Sequence, residues 1–342
     1  MKIVVAPDSF KECLSASLVA KTIAQAIREL RPDDMVVELP LADGGEGTLS
    51  ILVQPMKARV EIIPVHDPLG RLITARYGIA DKTAIIEVAE ACGLQLLAQE
   101  ERNPLIASTK GVGELLLDAY YKGCRDFIIC LGGSATCDGG AGMMSVPGLK
   151  ELLGSCTVEL LCDVDAPFVG DCGAARVFAP QKGASTRDVE MLENRMVLWA
   201  DKMLKETGVD IANMPGAGAA GGLGGALMAY GKAIVFNGAS RVMQLCGFHD
   251  AIKDADLIIT GEGKSDAQSL MGKVPFAVLK QSCDVPVALL SGRIEDRRTL
   301  EQAGFSEVIE ISPRNLPLKC AMDPDTAITN IRSAIHNSFG KQ

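Results

Sequence analysis

Four glycine-rich tracts carry the residues whose types and spacing suit chemistry. Residues 131–142 read Leu-Gly-Gly-Ser-Ala-Thr-Cys-Asp-Gly-Gly-Ala-Gly. Glycine permits positive φ and close backbone approach. Such a loop can turn several N–H groups toward one anion, with hydroxyls as further donors. Gly132, Gly133, Ser134 and Thr136 are therefore candidate phosphate contacts, and Asp138 can hold a metal or accept a proton. Residues 42–48 (Ala-Asp-Gly-Gly-Glu-Gly-Thr) bring Asp43 and Glu46, and residues 260–266 (Thr-Gly-Glu-Gly-Lys-Ser-Asp) bring Glu262 and Asp266. Residues 215–225 add Gly216, Gly218, Gly221 and Gly222. Apolar runs flank these tracts, unlike the polar, serine-rich surroundings of a linker. With acids in three of them, they point to one cleft that handles phosphate and metal.

The totals narrow the setting. The chain has 342 residues, 48% of them hydrophobic, and a formal net charge of -9. That length suits two domains. The acidic balance argues against nucleic acid as a main partner, while nucleotides remain open to it through glycine loops, a few lysines and magnesium. Eleven cysteines lie scattered without a Cys-x-x-Cys pair, as expected in a reducing compartment. The apolar start at Ile3 is too short for a signal segment, and no run of about 18 apolar residues occurs. A cytoplasmic protein with no membrane partner is expected. Three histidines leave little for a zinc site or a histidine-based triad.

Strands and helices must position the tracts. Residues 3–6 read as a strand ending in the loop that carries Asp8, Ser9 and Lys11. Ser15 suits the cap of a helix to Leu30, with Val19, Ile23, Ala26, Ile27 and Leu30 on one face. A strand over 35–39 then delivers Asp43. Both loops follow carboxyl ends of strands, where open α/β sheets bind ligands. Residues 60–65, 72–79 and 83–88 read as antiparallel strands with short turns. Helices over 112–121 and 186–206 and strands over 127–131 and 158–162 follow. The 215–225 tract is expected to open a helix whose N-terminus receives phosphate. Strands over 257–260, 285–290 and 307–311 resume the βα rhythm, with helices over 274–280 and 298–303, and Asp323 and Pro324 start the last helix. The expected fold class is α/β. A doubly wound domain, discontinuous in sequence, spans 1–60 and 240–342. An inserted second α/β domain with a mixed sheet spans 61–239, and the active site is expected in the cleft between them.

Two familiar motifs fail. Gly263-Lys264-Ser265 lacks the earlier glycine of a P-loop, since Ile258 stands there, and no Gly-x-Gly-x-x-Gly follows the first strand. Six stretches instead resemble the bacterial glycerate kinase type I family: residues 6–11, 42–48, 132–136, 180–184, 215–222 and 260–263. The resemblance spans nearly the whole chain in order. It implies ATP-dependent phosphorylation of D-glycerate with Mg2+, most often on the 2-hydroxyl, giving 2-phosphoglycerate and ADP. It also implies a flavodoxin-like domain bearing an insert. Cys137 and Ala166 stand where the family commonly has asparagine, and the segment after Gly142 is shorter than usual.

A hydroxy-acid kinase needs a phosphate cradle, a metal, a base and a cation for the carboxylate. Asp43 or Asp266 is the expected base, and Glu262 and Asp138 are expected to hold the metal. Among Lys11, Lys182, Lys264 and Lys273, Lys11 is the first choice as catalytic cation and Lys273 the second, with Asp8 and Ser9 toward substrate. Transfer to the 3-hydroxyl or to a related small hydroxy acid is the nearest alternative. A mutase or phosphatase for phosphorylated acids, or a nucleotide sensor, would need similar loops. The oligomeric state is not legible.

Overall fold

The structure is a computed structural model and describes residues 1–270 and 272–340. Its strands are β1 (Lys2–Val5), β2 (Met35–Glu38), β3 (Arg59–His66), β4 (Leu72–Ala80), β5 (Thr83–Glu87), β6 (Asp126–Cys130), β7 (Thr157–Leu161), β8 (Ile234–Phe236), β9 (Leu257–Ser265), β10 (Val287–Ile294) and β11 (Glu307–Glu310). The chain divides into two compact units, Met1–Asp43 with Ala239–Gln342, and Gly44–Gly238.

The first unit holds a sheet in the order β11-β10-β9-β1-β2, parallel at every junction. This is the flavodoxin-like order, with a switch point between β1 and β9. Its strands are apolar runs because a parallel sheet is covered on both faces. Ile3, Val4, Val5, Ile258, Ile259, Leu289 and Leu290 are all buried. The helix Ala16–Leu30 lays Val19, Ile23 and Ile27 into the same cluster as Ile331 and Ile335 of the helix Pro324–Phe339. Ser15 Oγ accepts from Leu18 N at 3.3 Å, and Asp323 accepts from Thr326 N at 3.0 Å. Caps of this kind contribute about 1 kcal/mol each.

One expected loop is a strand. Residues 260–265 continue β9, which pairs with β10 as far as Ser265 opposite Ile294. The glycines here admit a neighbouring backbone. A Cβ at Gly261 would lie 2.0 Å from Leu290 O, and one at Gly292 would lie 2.3 Å from Gly263 O.

The second unit holds the order β3-β4-β5-β6-β7-β8, antiparallel up to β5 and parallel from there. The sheet is mixed, as expected. Phe127, Ile129, Leu160, Leu115 and Leu227 form part of its core. β8 has three residues and was too short to be read from sequence. Residues 44–60, expected in the discontinuous domain, fall in this unit. The short helix Thr48–Leu52 is tied to the end of β5, where Glu87 accepts from Gly47 N at 3.2 Å and Leu49 N at 2.5 Å. No helix among the described residues is long and apolar enough to cross a membrane.

Candidate active site

The carboxyl ends of β1, β9 and β10 border a cavity of about 480 Å³ within the first unit. Asp8, Ser9, Lys11, Asp43, Glu262, Lys273 and Arg293 line it, with Phe10, Cys13, Ile311, Leu316, Leu318 and Met322 among its apolar residues. The backbone fixes the polar group. Asp8 N donates to Gly261 O at 2.8 Å, which registers the loop after β1 against β9. Leu41 N donates to Pro7 O at 2.9 Å and brings the segment carrying Asp43 alongside. Ser291 Oγ donates to Glu262 O at 3.1 Å and ties β10 to β9 at the same height.

Asp8 is 6% exposed. Burial pushes its carboxyl up to about 7, and the charges of Asp43 and Glu262 push the same way against the Ser9 N–H and Lys11. Desolvation and like charges both favour the neutral acid. Lys11 Nζ lies 3.0 Å from Asp43 Oδ2, and that carboxylate is the main cause of the raised Lys11 pKa. The Lys11 side chain is 73% exposed, so solvent screens the pair and its worth to stability is small. Glu262 is also 6% exposed; it accepts from Ser265 Oγ at 3.0 Å and faces Lys273 Nζ at 3.4 Å.

Asp266, an expected base, does not line this cavity. Its carboxylate faces Lys264 at 3.8 Å, and its N–H donates to Ser269 Oγ at 3.1 Å. Arg293 does line the cavity and was missed. It follows Ser291 and Gly292 just beyond the apolar run of β10, so the strand-end rule that singled out Asp8 could have found it. Its guanidinium stands 3.7 Å from Glu310.

In the second unit the glycine tracts pack on one another. A Cβ at Gly221 would lie 2.0 Å from Thr136 O, one at Gly218 2.3 Å from Pro167 O, and one at Gly222 2.7 Å from Phe168. In the helix that follows, Leu223–Gly231, two leading donors are already bonded within the chain. Gly224 N donates to Ala219 O at 3.2 Å and Gly225 N to Ala217 O at 2.8 Å. Gly216, Gly218, Gly221 and Gly222 are buried, and part of the expected helix-end cradle is bonded to the chain itself. Ser134 and Thr136 are likewise buried around Lys182, which is 3% exposed and donates to Ser134 Oγ at 2.9 Å and Thr136 O at 2.7 Å. Burial holds the Lys182 pKa below its ordinary value. Gly132 and Gly133 remain partly exposed, Gly133 at φ +78.

Asp138, an expected metal ligand, is engaged by its own loop. It accepts from Thr109 N and Oγ1 at 2.9 Å each, and from Gly140 N and Gly142 N at 3.0 Å each. Among the described residues no three His, Cys, Asp or Glu side chains form a metal cage. Magnesium does not require one, since it is commonly held by one or two carboxylates together with phosphate oxygens and water. The mutual repulsion of Asp8, Asp43 and Glu262 is the kind of acidic cluster a divalent cation relieves.

Comparison with known proteins agrees with this architecture. The model of the glycerate kinase family matches residues 3–152 and 144–339. A glycerate 2-kinase of Escherichia coli (strain K12) is 40% identical, over 91% of this chain and 90% of its own. A glycerate kinase of Halalkalibacterium halodurans is 38% identical, over 94% of this chain and 93% of its own. A crystal structure from Salmonella typhimurium LT2, assigned as a glycerate kinase 2, superposes with a TM-score of 0.84 at 36% identity, covering 98% of this chain and 96% of that one.

Proposed function

The chain belongs to the glycerate kinase family and is a glycerate kinase, and from that premise we propose that it transfers the terminal phosphoryl group of ATP to the 2-hydroxyl of D-glycerate, giving 2-phosphoglycerate and ADP. The observation that carries the reading is Asp8. It is a buried carboxyl at a strand end, inside a cavity that also presents cations, and burial is the main cause that raises its pKa. A base poised near neutral pH best combines availability with driving force.

In this reading Asp8 accepts the proton of the substrate hydroxyl. Arg293 holds the glycerate carboxylate, for which its planar fork is well matched, and Lys273 assists. Lys11 and Asp43 set the charge around the reacting oxygen. Asp43 and Glu262 would hold Mg2+, which supplies charge neutralisation at the phosphates when bound. The relative named glycerate 2-kinase favours the 2-hydroxyl.

A coupled ADP-release assay over a panel of hydroxy acids tests the reaction, and phosphorus NMR of the product tests the position. ADP release that depends on D-glycerate, with a 2-phosphate resonance, is expected. Turnover of phosphorylated acids without ATP would point to a mutase or phosphatase instead. A 3-phosphate product would move the transfer to the other hydroxyl.

A further inference from the structure

A three-carbon acid needs roughly 100 Å³, the room of three or four waters. The cavity of the first unit offers about 480 Å³, within the span of roughly 300–1,000 Å³ typical of pockets for larger organic ligands. The surplus has its own chemistry. The acids and cations come from the strand ends and from Asp43, whereas the apolar lining comes from Phe10, Cys13 and the segment 311–327. Phe10, Ile311 and Ala327 belong to the unit's hydrophobic core and form a firm floor. Leu318, in the short helix Leu318–Ala321, is 73% exposed although it lines the cavity, so a large apolar side chain is left without cover.

From this surplus we infer that the apolar lobe formed by Cys13, Ile311, Leu316, Leu318 and Met322 seats the purine ring of ATP. A flat aromatic base gains from apolar walls, while its phosphates need cations, and this cavity has both kinds of lining. The inference rests on the kinase reading above and adds to it the place of the base. It also departs from the sequence expectation that the 215–225 tract takes the nucleotide, a tract whose glycines are buried and whose Gly224 and Gly225 N–H groups are bonded within the chain. The cavity's polar lining is left to the small acid and the phosphates.

Leu316→Asp and Met322→Asp place a charge in the lobe at positions that are already partly solvated. Each is expected to raise KM for ATP at least tenfold while KM for D-glycerate stays within twofold. Cys13 gives an independent reading on the unaltered protein, whether or not the variants fold. Saturating AMP-PNP is expected to slow its alkylation at least fivefold, followed by peptide mass spectrometry, with Cys172 and Cys283 as exposed references. Unchanged KM for ATP in both variants, or Cys13 alkylation indifferent to the nucleotide, overturns the inference while wild-type turnover continues. Absence of glycerate-dependent ADP release by the wild type would instead defeat the kinase reading itself.

Discussion

Asp8 and Asp138 are both acids in loops that follow strands, yet their surroundings differ. Asp138 accepts four hydrogen bonds from its own loop and from Thr109. Removing it would strand those buried donors, and charged hydrogen bonds contribute about 1.5–3 kcal/mol each. Asp138→Ala is expected to lower unfolding stability by about 2–4 kcal/mol in urea titration, with no change in the magnesium dependence of turnover. A shifted magnesium optimum at unchanged stability would restore a metal role. Arg293→Met should raise KM for D-glycerate at least tenfold, since a lost charge-assisted contact of that strength exceeds a factor of ten; an unchanged KM would place the carboxylate elsewhere. Asp8, Lys11, Asp43 and Glu262, which line the cavity, could be picked out because each follows or ends an apolar strand. The engagement of Asp138 could not, because its partner Thr109 lies 29 residues away in the chain.

Elements explain why glycine patterns misled. A glycine needed for a neighbouring backbone looks the same in sequence as one needed for phosphate. Residues 260–265 proved to be strand because Gly261 and Gly292 let β9 and β10 approach. Gly292→Ala would push a Cβ against Gly263 O and is expected to cost about 1–3 kcal/mol, the usual range for overpacking. Gly154→Ala, whose nearest neighbour atom lies 3.7 Å away, is the control and should be near neutral. Equal melting temperatures for the two variants would contradict this account.

The tie between β5 and the helix Thr48–Leu52 carries a pH signature. Burial pushes the Glu87 carboxyl from 4.5 up to about 7, with Glu90 adding to the rise and the Gly47 and Leu49 N–H groups and Arg76 opposing it. The folded state therefore holds the proton more tightly than the unfolded chain. This contribution to stability is full below about pH 4.5, declines as pH rises toward 7, and is then flat. Glu87→Gln removes it, so the gap in melting temperature between wild type and variant should move in the variant's favour across that window. A gap that stays constant from pH 4.5 to 7 would rule it out.

At the scale of the molecule, each unit shows a different degree of legibility. The sheet of the first unit was readable because parallel strands are continuous apolar runs, and its flavodoxin-like arrangement was implied by the family resemblance. The mixed sheet of the second unit was readable in its hairpins, whose turns are local, but not in β8, which pairs with β7 across more than 70 residues of chain. Boundaries drifted for the same reason: residues 44–60 are held by Glu87, a contact that no local pattern announces.

The account depends most on Asp8 serving the transfer step. Single-turnover transfer of labelled terminal phosphate from ATP to D-glycerate, compared in wild type and Asp8→Asn, tests that directly. Loss of a general base typically costs 10²–10⁴-fold, so the variant is expected to bind ATP normally and label glycerate at least about 100-fold more slowly. Equal labelling rates in the two proteins would contradict the account.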